Sequence, residues 1–140
     1  MCINRLNEID ILNKIQSKFS EVVCVHLTDK LSNSGIIAVI IADLIEKKLF
    51  IKEICISCRA LGRKLESTIV LHSIKNMSLF GKAKKIFAHV KKGPRNSPAL
   101  NWLVDTIKNK NIKNGLVEID KNIINKFAPF KNLKVKVKFK

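Results

Sequence analysis

The sequence predicts a mixed α/β (α+β) layer fold: one domain built on a central sheet flanked by helices. Three observations carry that expectation. The chain has 140 residues, a length that suits one hydrophobic core. Hydrophobic residues make up 46% of it, enough to fill such a core. Segments of helical period then alternate with short β-branched runs along its length.

The elements follow in order. Ile3, Leu6, Ile9, Leu12 and Ile15 recur at helical spacing, which predicts an amphipathic helix over Asn4–Lys18 with those residues inward. Glu21–Leu27 (EVVCVHL) reads as a strand, followed by a turn from Thr28 rich in Ser, Asn and Gly. Gly35–Asp43 and Lys48–Ile56 read as two further strands. A helix over Gly62–Lys75 places Leu65, Ile69 and Ile74 on its inner face. Ala83–Val90 is a strand, the stretch from Gly93 (GPRNSP) a loop, and Ala99–Lys110 a helix. Leu116–Ile119 is a short strand. The strict alternation of LKVKVKF over Leu133–Phe139 predicts a last one with its lysines in water.

Composition narrows the setting. No apolar run approaches the roughly 18–20 residues of a membrane span, and Met1–Phe19 lacks the continuous apolar region of a signal peptide. A cytoplasmic protein with reduced thiols is the expectation, so the four cysteines are not read as a disulfide frame. Lys and Arg number 27 against 11 Asp and Glu, a formal charge of +16. That balance favours polyanionic partners, whether nucleic acid, an acidic protein or a phosphorylated ligand. An AT-rich genome also enriches lysine beside Ile and Asn, so charge alone selects no partner.

The stretch Ile54–Glu66, ICISCRALGRKLE, carries the chemistry. Four readings apply to it. Structural zinc wants two ligand pairs, and Cys55 and Cys58 are one pair; Cys2, Cys24, His26, His72 and His89 stand singly along the chain. A redox C-x-x-C belongs where a strand feeds a helix, as here, though Arg59–Gly62 intervene. Both thiols also suit a core, Cys55 especially, because alternation sets Cys55 and Ser57 on one face and Ile54, Ile56 and Cys58 on the other. The fourth reading is a phosphate cradle: a strand, Arg59-x-x-Gly62 and a helix start, with Arg59, Arg63 and Lys64 adding charge.

That last pattern resembles motif A of the GNAT acyltransferases, which holds the pyrophosphate and pantetheine of acyl-coenzyme A; Lys64 stands at its final small position. Asn96, Ala99 and Trp102 in RNSPALNWL resemble the next GNAT motif. Leu103 occupies the place of the usual thiolate-protonating Tyr, and the chain has no Tyr. The resemblance therefore implies GNAT architecture without ordinary acetyl transfer.

Across nearly its whole length the chain resembles the C-terminal, GNAT-like domain of FkbH-like proteins. The matching stretches, in family order, are NRLNEIDI, HLTDKLSNSGIIAVI, ICISCRALGRKLE and GPRNSPALNWL. The resemblance implies loading of a glyceryl unit from 1,3-bisphosphoglycerate, through an enzyme thioester, onto the phosphopantetheine thiol of an acyl carrier protein. It also implies a HAD-type phosphatase partner, since the family's fused phosphatase half has no Asp-x-Asp-x-Thr counterpart here. A separate subunit, or a piece of a split or excised gene, is the expectation.

On this reading Cys58 carries the acyl group, because a thiol at a helix N-terminus beside Arg59 and Arg63 is readily nucleophilic. The loop of Arg59, Gly62, Arg63 and Lys64 holds the phosphate of the pantetheine arm, or of coenzyme A, beside it. Asp29 binds a glyceryl hydroxyl or positions a base, or else caps its turn. His26 is a general base, or a structural strand residue. Asn96 donates to the ligand, or caps the next helix. Trp102 is core, and His72 and His89 have no assigned role. Lys82, Lys84, Lys85, Lys91, Lys92 and Arg95 would receive an acidic carrier protein, or form a solvated face. Rival classes are a nucleic-acid module, supported by charge alone with eight aromatics and no stacking motif, and a noncatalytic carrier-docking scaffold.

Overall fold

The structure, a computed structural model, describes residues 2–4, 6–28, 30–31, 33–61 and 65–129. Its described elements are α1 (Glu8–Gln16), β1 (Ser20–Thr28), β2 (Asn33–Ile45) and β3 (Lys48–Ile56). A π-helical turn, Thr68–His72, leads into α2 (Ser73–Lys75), and a 3-10 turn, Phe80–Lys82, into β4 (Lys85–His89). Then come α3 (Ser97–Ile107), β5 (Ile112–Lys113), β6 (Leu116–Ile119) and α4 (Lys121–Lys126). The expected α/β class holds: six strands in one mixed sheet, order β1-β2-β3-β4-β6-β5, with helices packed on it. The expected strand Leu133–Phe139 lies outside the described residues.

The first half is an antiparallel meander. β1 pairs β2 from Ser20↔Asp43 to Thr28↔Asn33, so β2 draws Asn33 and Ser34 out of the expected turn. β2 pairs β3 through a two-residue turn, Glu46–Lys47, with φ of +49° and +62°. That is the backbone of a type I′ hairpin, here built without the usual Asn or Gly. A bulge at Lys52 interrupts the β2–β3 ladder between Ala42↔Ile51 and Ile41↔Glu53.

β3 and β4 are parallel, so the chain must cross over, and residues 57–84 carry the helical segment that does so. Their pairing covers Lys48↔Lys85 to Ile51↔Ala88 and stops. β3 runs on to Ile56 without β4 beside it. β6 completes the sheet antiparallel to β4, joined to β5 by an Asn114–Gly115 turn with φ of +52° and +71°. Gly115 is required there twice over: by its left-handed φ, and by the Val90 carbonyl 3.3 Å from where a Cβ would stand.

One sheet face is the core. Ile40, Leu49, Ile51, Ile54, Ile56, Ile86 and Ala88 pack with Ile69 and Ile74 of the crossover helix and with Ala99, Leu103 and Ile107 of α3. Leu65 is half-buried against them, so the face expected of that helix is the one that packs. Among the described residues no helix is long and apolar enough to cross a membrane.

α1 differs from expectation in extent and orientation. Asn7 Oδ1 accepts the Asp10 N–H at 2.8 Å and caps the helix, which starts four residues later than Asn4. Upstream, the Leu6 N–H is spent on Glu53 Oε2 at 2.9 Å, and Ile3 joins the sheet. The face toward the protein presents Lys14 to buried Asp43, which also accepts the Ser20 hydroxyl at 2.7 Å. A buried carboxylate needs a partner, and with Lys14 turned to it Ile9, Leu12 and Ile15 stand 70%, 53% and 61% exposed.

Candidate functional site

The C-terminal ends of β1, β3 and β4 all lie at one end of the sheet, because β1 and β3 both run antiparallel to β2 and β3 is parallel to β4. That end gathers His26, the turn after β3, and the loop after β4. Ser57 fixes the turn: its N–H donates to the Ile37 carbonyl at 2.7 Å, and its carbonyl accepts the Ala60 N–H at 3.0 Å. Ala60 is fully buried and pins the turn to the core, which pushes Cys58 and Arg59 outward, both exposed. The Arg59 N–H and Nε–H both donate to Ser57 Oγ, at 3.3 and 3.5 Å, holding the guanidinium beside the turn. Gly62, Arg63, Lys64 and Asp29 lie outside the described residues.

His26 is exposed, its Nδ1 3.3 Å from Thr28 Oγ1. With β2 between them, the β1 and β3 backbones are about 10 Å apart, and His26 shares the sheet end with the turn that bears Cys58. Asn96 is fully engaged in its own loop: Oδ1 accepts the Gly93 N–H at 2.7 Å, and Nδ2 donates to the Lys91 carbonyl at 2.6 Å. It is the N-cap residue of α3 by position but makes no side-chain cap bond. Trp102 packs against the core, and Leu103 is buried within it.

The six basic residues expected to form one rim are split by β4. Lys91, Lys92 and Arg95 are exposed at the Cys58 end. Lys82, Lys84 and Lys85 lie at the other end, the last two lining an open groove of about 660 Å³ with Lys108, Lys121, Glu118 and Asp120.

No family model, curated protein or solved structure matches this chain. The site therefore stands on its own geometry.

Two groupings escaped the sequence. Cys2 lies opposite Cys55 in an antiparallel bridge, with the Sγ atoms 2.8 Å apart. The partner of Cys55 is thus Cys2, 53 positions away, and not Cys58. Burial, with the Cys2 thiol and the Glu53 carboxylate adding to it, pushes the Cys55 thiol up to about 11. The second grouping lies where β3 and β4 part. Lys52 Nζ sits 3.3 Å from His89 Nε2, and the His89 ring meets Phe50 edge-on at 5.8 Å. Burial, then the Lys52 charge, lower the His89 pKa, which keeps the ring neutral as an acceptor for the ammonium. His72, in the π-helical turn, is held below its usual range by burial and by Lys75, and its buried Nδ1 lacks a partner among the described residues. Among the described residues no three His, Cys, Asp or Glu side chains converge as metal ligands.

Proposed function

We propose that this chain is a GNAT-like acyl-handling domain of the FkbH type. In this reading it holds a glyceryl unit, derived from 1,3-bisphosphoglycerate, as a thioester on Cys58. It then passes the unit to the phosphopantetheine thiol of an acyl carrier protein. One observation carries the reading: of the two thiols in the C-x-x-C, Cys58 is exposed on the turn that leaves β3, with Arg59 fixed beside it. Cys55 is half-buried and its thiol is pushed up to about 11, which makes it the slower of the two toward an outside acyl donor near neutral pH.

The chemistry follows from position. Cys58 sulfur attacks the acyl phosphate carbon, the carbon–oxygen bond to phosphate breaks, and phosphate leaves; a HAD-type partner removes the remaining phosphate. The pantetheine thiolate then attacks the thioester, and Cys58 departs as thiolate. Arg59, Arg63 and Lys64 supply charge for the arm's phosphate, Gly62 lets the backbone come close to it, and Lys91, Lys92 and Arg95 face an acidic carrier at the same sheet end. Asp29 and His26 are the candidate positioning groups for substrate hydroxyl and proton. Residues 2–4 fill the space between β3 and the end of β4, so the arm approaches over the end of the sheet rather than between the strands.

A second reading, a carrier-docking module without chemistry, is favoured by the roughly 10 Å between β1, which bears His26, and β3, whose following turn bears Cys58. Intact-protein mass spectrometry separates the two. The chain and its Cys58→Ala variant are incubated with 1,3-bisphosphoglycerate and an active FkbH-type phosphatase domain. A glyceryl adduct on the unsubstituted chain alone, passed to an added carrier protein, is the expected result. An adduct that survives Cys58→Ala sinks the Cys58 assignment. Carrier binding with no adduct on either protein favours docking.

A further inference from the structure

Past Ile51, β3 has no β4 beside it, and the chain's own residues 2–4 take that edge. The Ile3 N–H donates to the Ile54 carbonyl at 3.3 Å, and the Ile3 carbonyl accepts the Lys91 N–H at 3.0 Å. Ile3 thus links β3 to the chain just beyond β4, with its side chain fully buried. Because that ladder bond falls on Ile3 and Ile54, the Cys2–Cys55 pair occupies a non-hydrogen-bonded site. In such sites opposing Cα atoms come within about 4.5 Å and side chains are closest. Disulfides span Cα separations of about 4.4–6.8 Å, so this bridge closes without moving the backbone. The other two thiols are exposed and elsewhere: Cys24 across Val39 in the same row, Cys58 beyond the strand end.

We propose that Cys2 and Cys55 are a disulfide-forming site, closed by exchange with a small-molecule disulfide, that fastens residues 2–4 into the gap between β3 and β4. The Cys2 thiolate attacks one sulfur of the reagent; the reagent's S–S bond breaks, and its first half leaves as a thiolate that takes up a proton. A mixed disulfide now sits on Cys2. Cys55 gives up its proton, attacks the Cys2 sulfur and expels the second half as a thiol. Two protein thiols and one disulfide become one protein disulfide and two thiols, with two electrons passed to the reagent. Cys55 resolves because its Sγ stands 2.8 Å from that of Cys2, which makes the second attack intramolecular; the part of its raised value due to the Cys2 thiol is also gone once Cys2 is capped. The site stands whether or not the chain transfers acyl groups.

The full chain, reduced and then equilibrated with oxidised glutathione under native conditions, tests this by intact mass and thiol alkylation. The expected outcome is loss of two hydrogen atoms and of the alkylatable thiols of Cys2 and Cys55, any glutathione on exposed Cys24 or Cys58 being read separately as its added mass. Cys24→Ser and Cys58→Ser should oxidise in the same way, while Cys2→Ser and Cys55→Ser should not. Peptide mapping of the unsubstituted chain, which needs no variant to fold, should join the Cys2 peptide to the Cys55 peptide. A Cys55–Cys58 link, closure that survives Cys2→Ser, or glutathione adducts on Cys2 or Cys55 that never resolve would each overturn the proposal.

Discussion

Ile3→Ala is the perturbation that best separates the observed packing from the periodicity of the sequence. Helical spacing puts Ile3 and Ile9 on one buried stripe; the structure makes Ile3 0% and Ile9 70% exposed. Truncating Ile3 removes three buried carbon groups at about 0.8 kcal/mol each, roughly 2.4 kcal/mol of lost transfer energy. The cavity it leaves, walled by both strands, adds about 1 kcal/mol more, for a total near 3–4 kcal/mol. Ile9→Ala deletes the same atoms from a mostly solvated site and gains a little helix propensity, so its effect should fall within about 0.5 kcal/mol of zero. Urea unfolding followed by circular dichroism measures both. With a slope of about 2 kcal/mol/M, the Ile3→Ala midpoint should drop by about 1.5–2 M while Ile9→Ala stays near the parent. A loss below about 1 kcal/mol at Ile3, or an equal loss at Ile9, would refute the placement of residues 2–4 in the sheet.

Three further outcomes follow from the same geometry. His89 and His72 are both lowered by burial, so the unfolded chain binds more protons as pH falls below about 6.5; the unfolding free energy should be level above pH 7, decline as pH falls through about 6.5, and decline less there in His89→Gln with His72→Gln. Asp43→Ala strands Lys14 and the Ser20 hydroxyl and should cost about 2–4 kcal/mol in the same assay, whereas Lys14→Met with Asp43→Leu should recover most of it. At pH 7.5 a thiol at about 11 is roughly one part in three thousand thiolate, so timed iodoacetamide labelling with peptide readout should modify exposed Cys58 well before Cys55.

Local pattern made much of the fold legible. Lys48–Ile56 and Leu116–Ile119 match the expected strands residue for residue, because β-branched runs bounded by turns have few alternatives. The β5–β6 hairpin was not expected, although Asn114–Gly115 is the dipeptide of a type I′ turn and could have signalled it. Glu46–Lys47 adopts the same conformation with neither residue, so tertiary pairing of β2 with β3 overrides turn preference there. α1 was misjudged because its period is real but the decisive interaction, Lys14 with Asp43, joins residues 29 apart. The candidate site divides in the same way. Cys58 and Arg59 were readable as a turn between strand and helix, whereas Cys2–Cys55 and Lys52–His89 exist only once distant segments are brought side by side. The split of the lysines likewise needed the direction and length of β4.

The place held by Ile3 has a consequence in time. β1, β2 and β3 are sequential hairpins and can zip from local contacts, while the β3–β4 pair must wait for the crossover of residues 57–84 to close. The slot that receives Ile3 has no second wall until then. Docking of residues 2–4 is therefore expected late, after the rate-limiting step of folding. Truncation at Ile3 should leave the refolding rate nearly unchanged and appear almost wholly as faster unfolding. The same segment, last in, should open ahead of the sheet it completes, an order that amide hydrogen exchange at Ile3 and Lys91 would read.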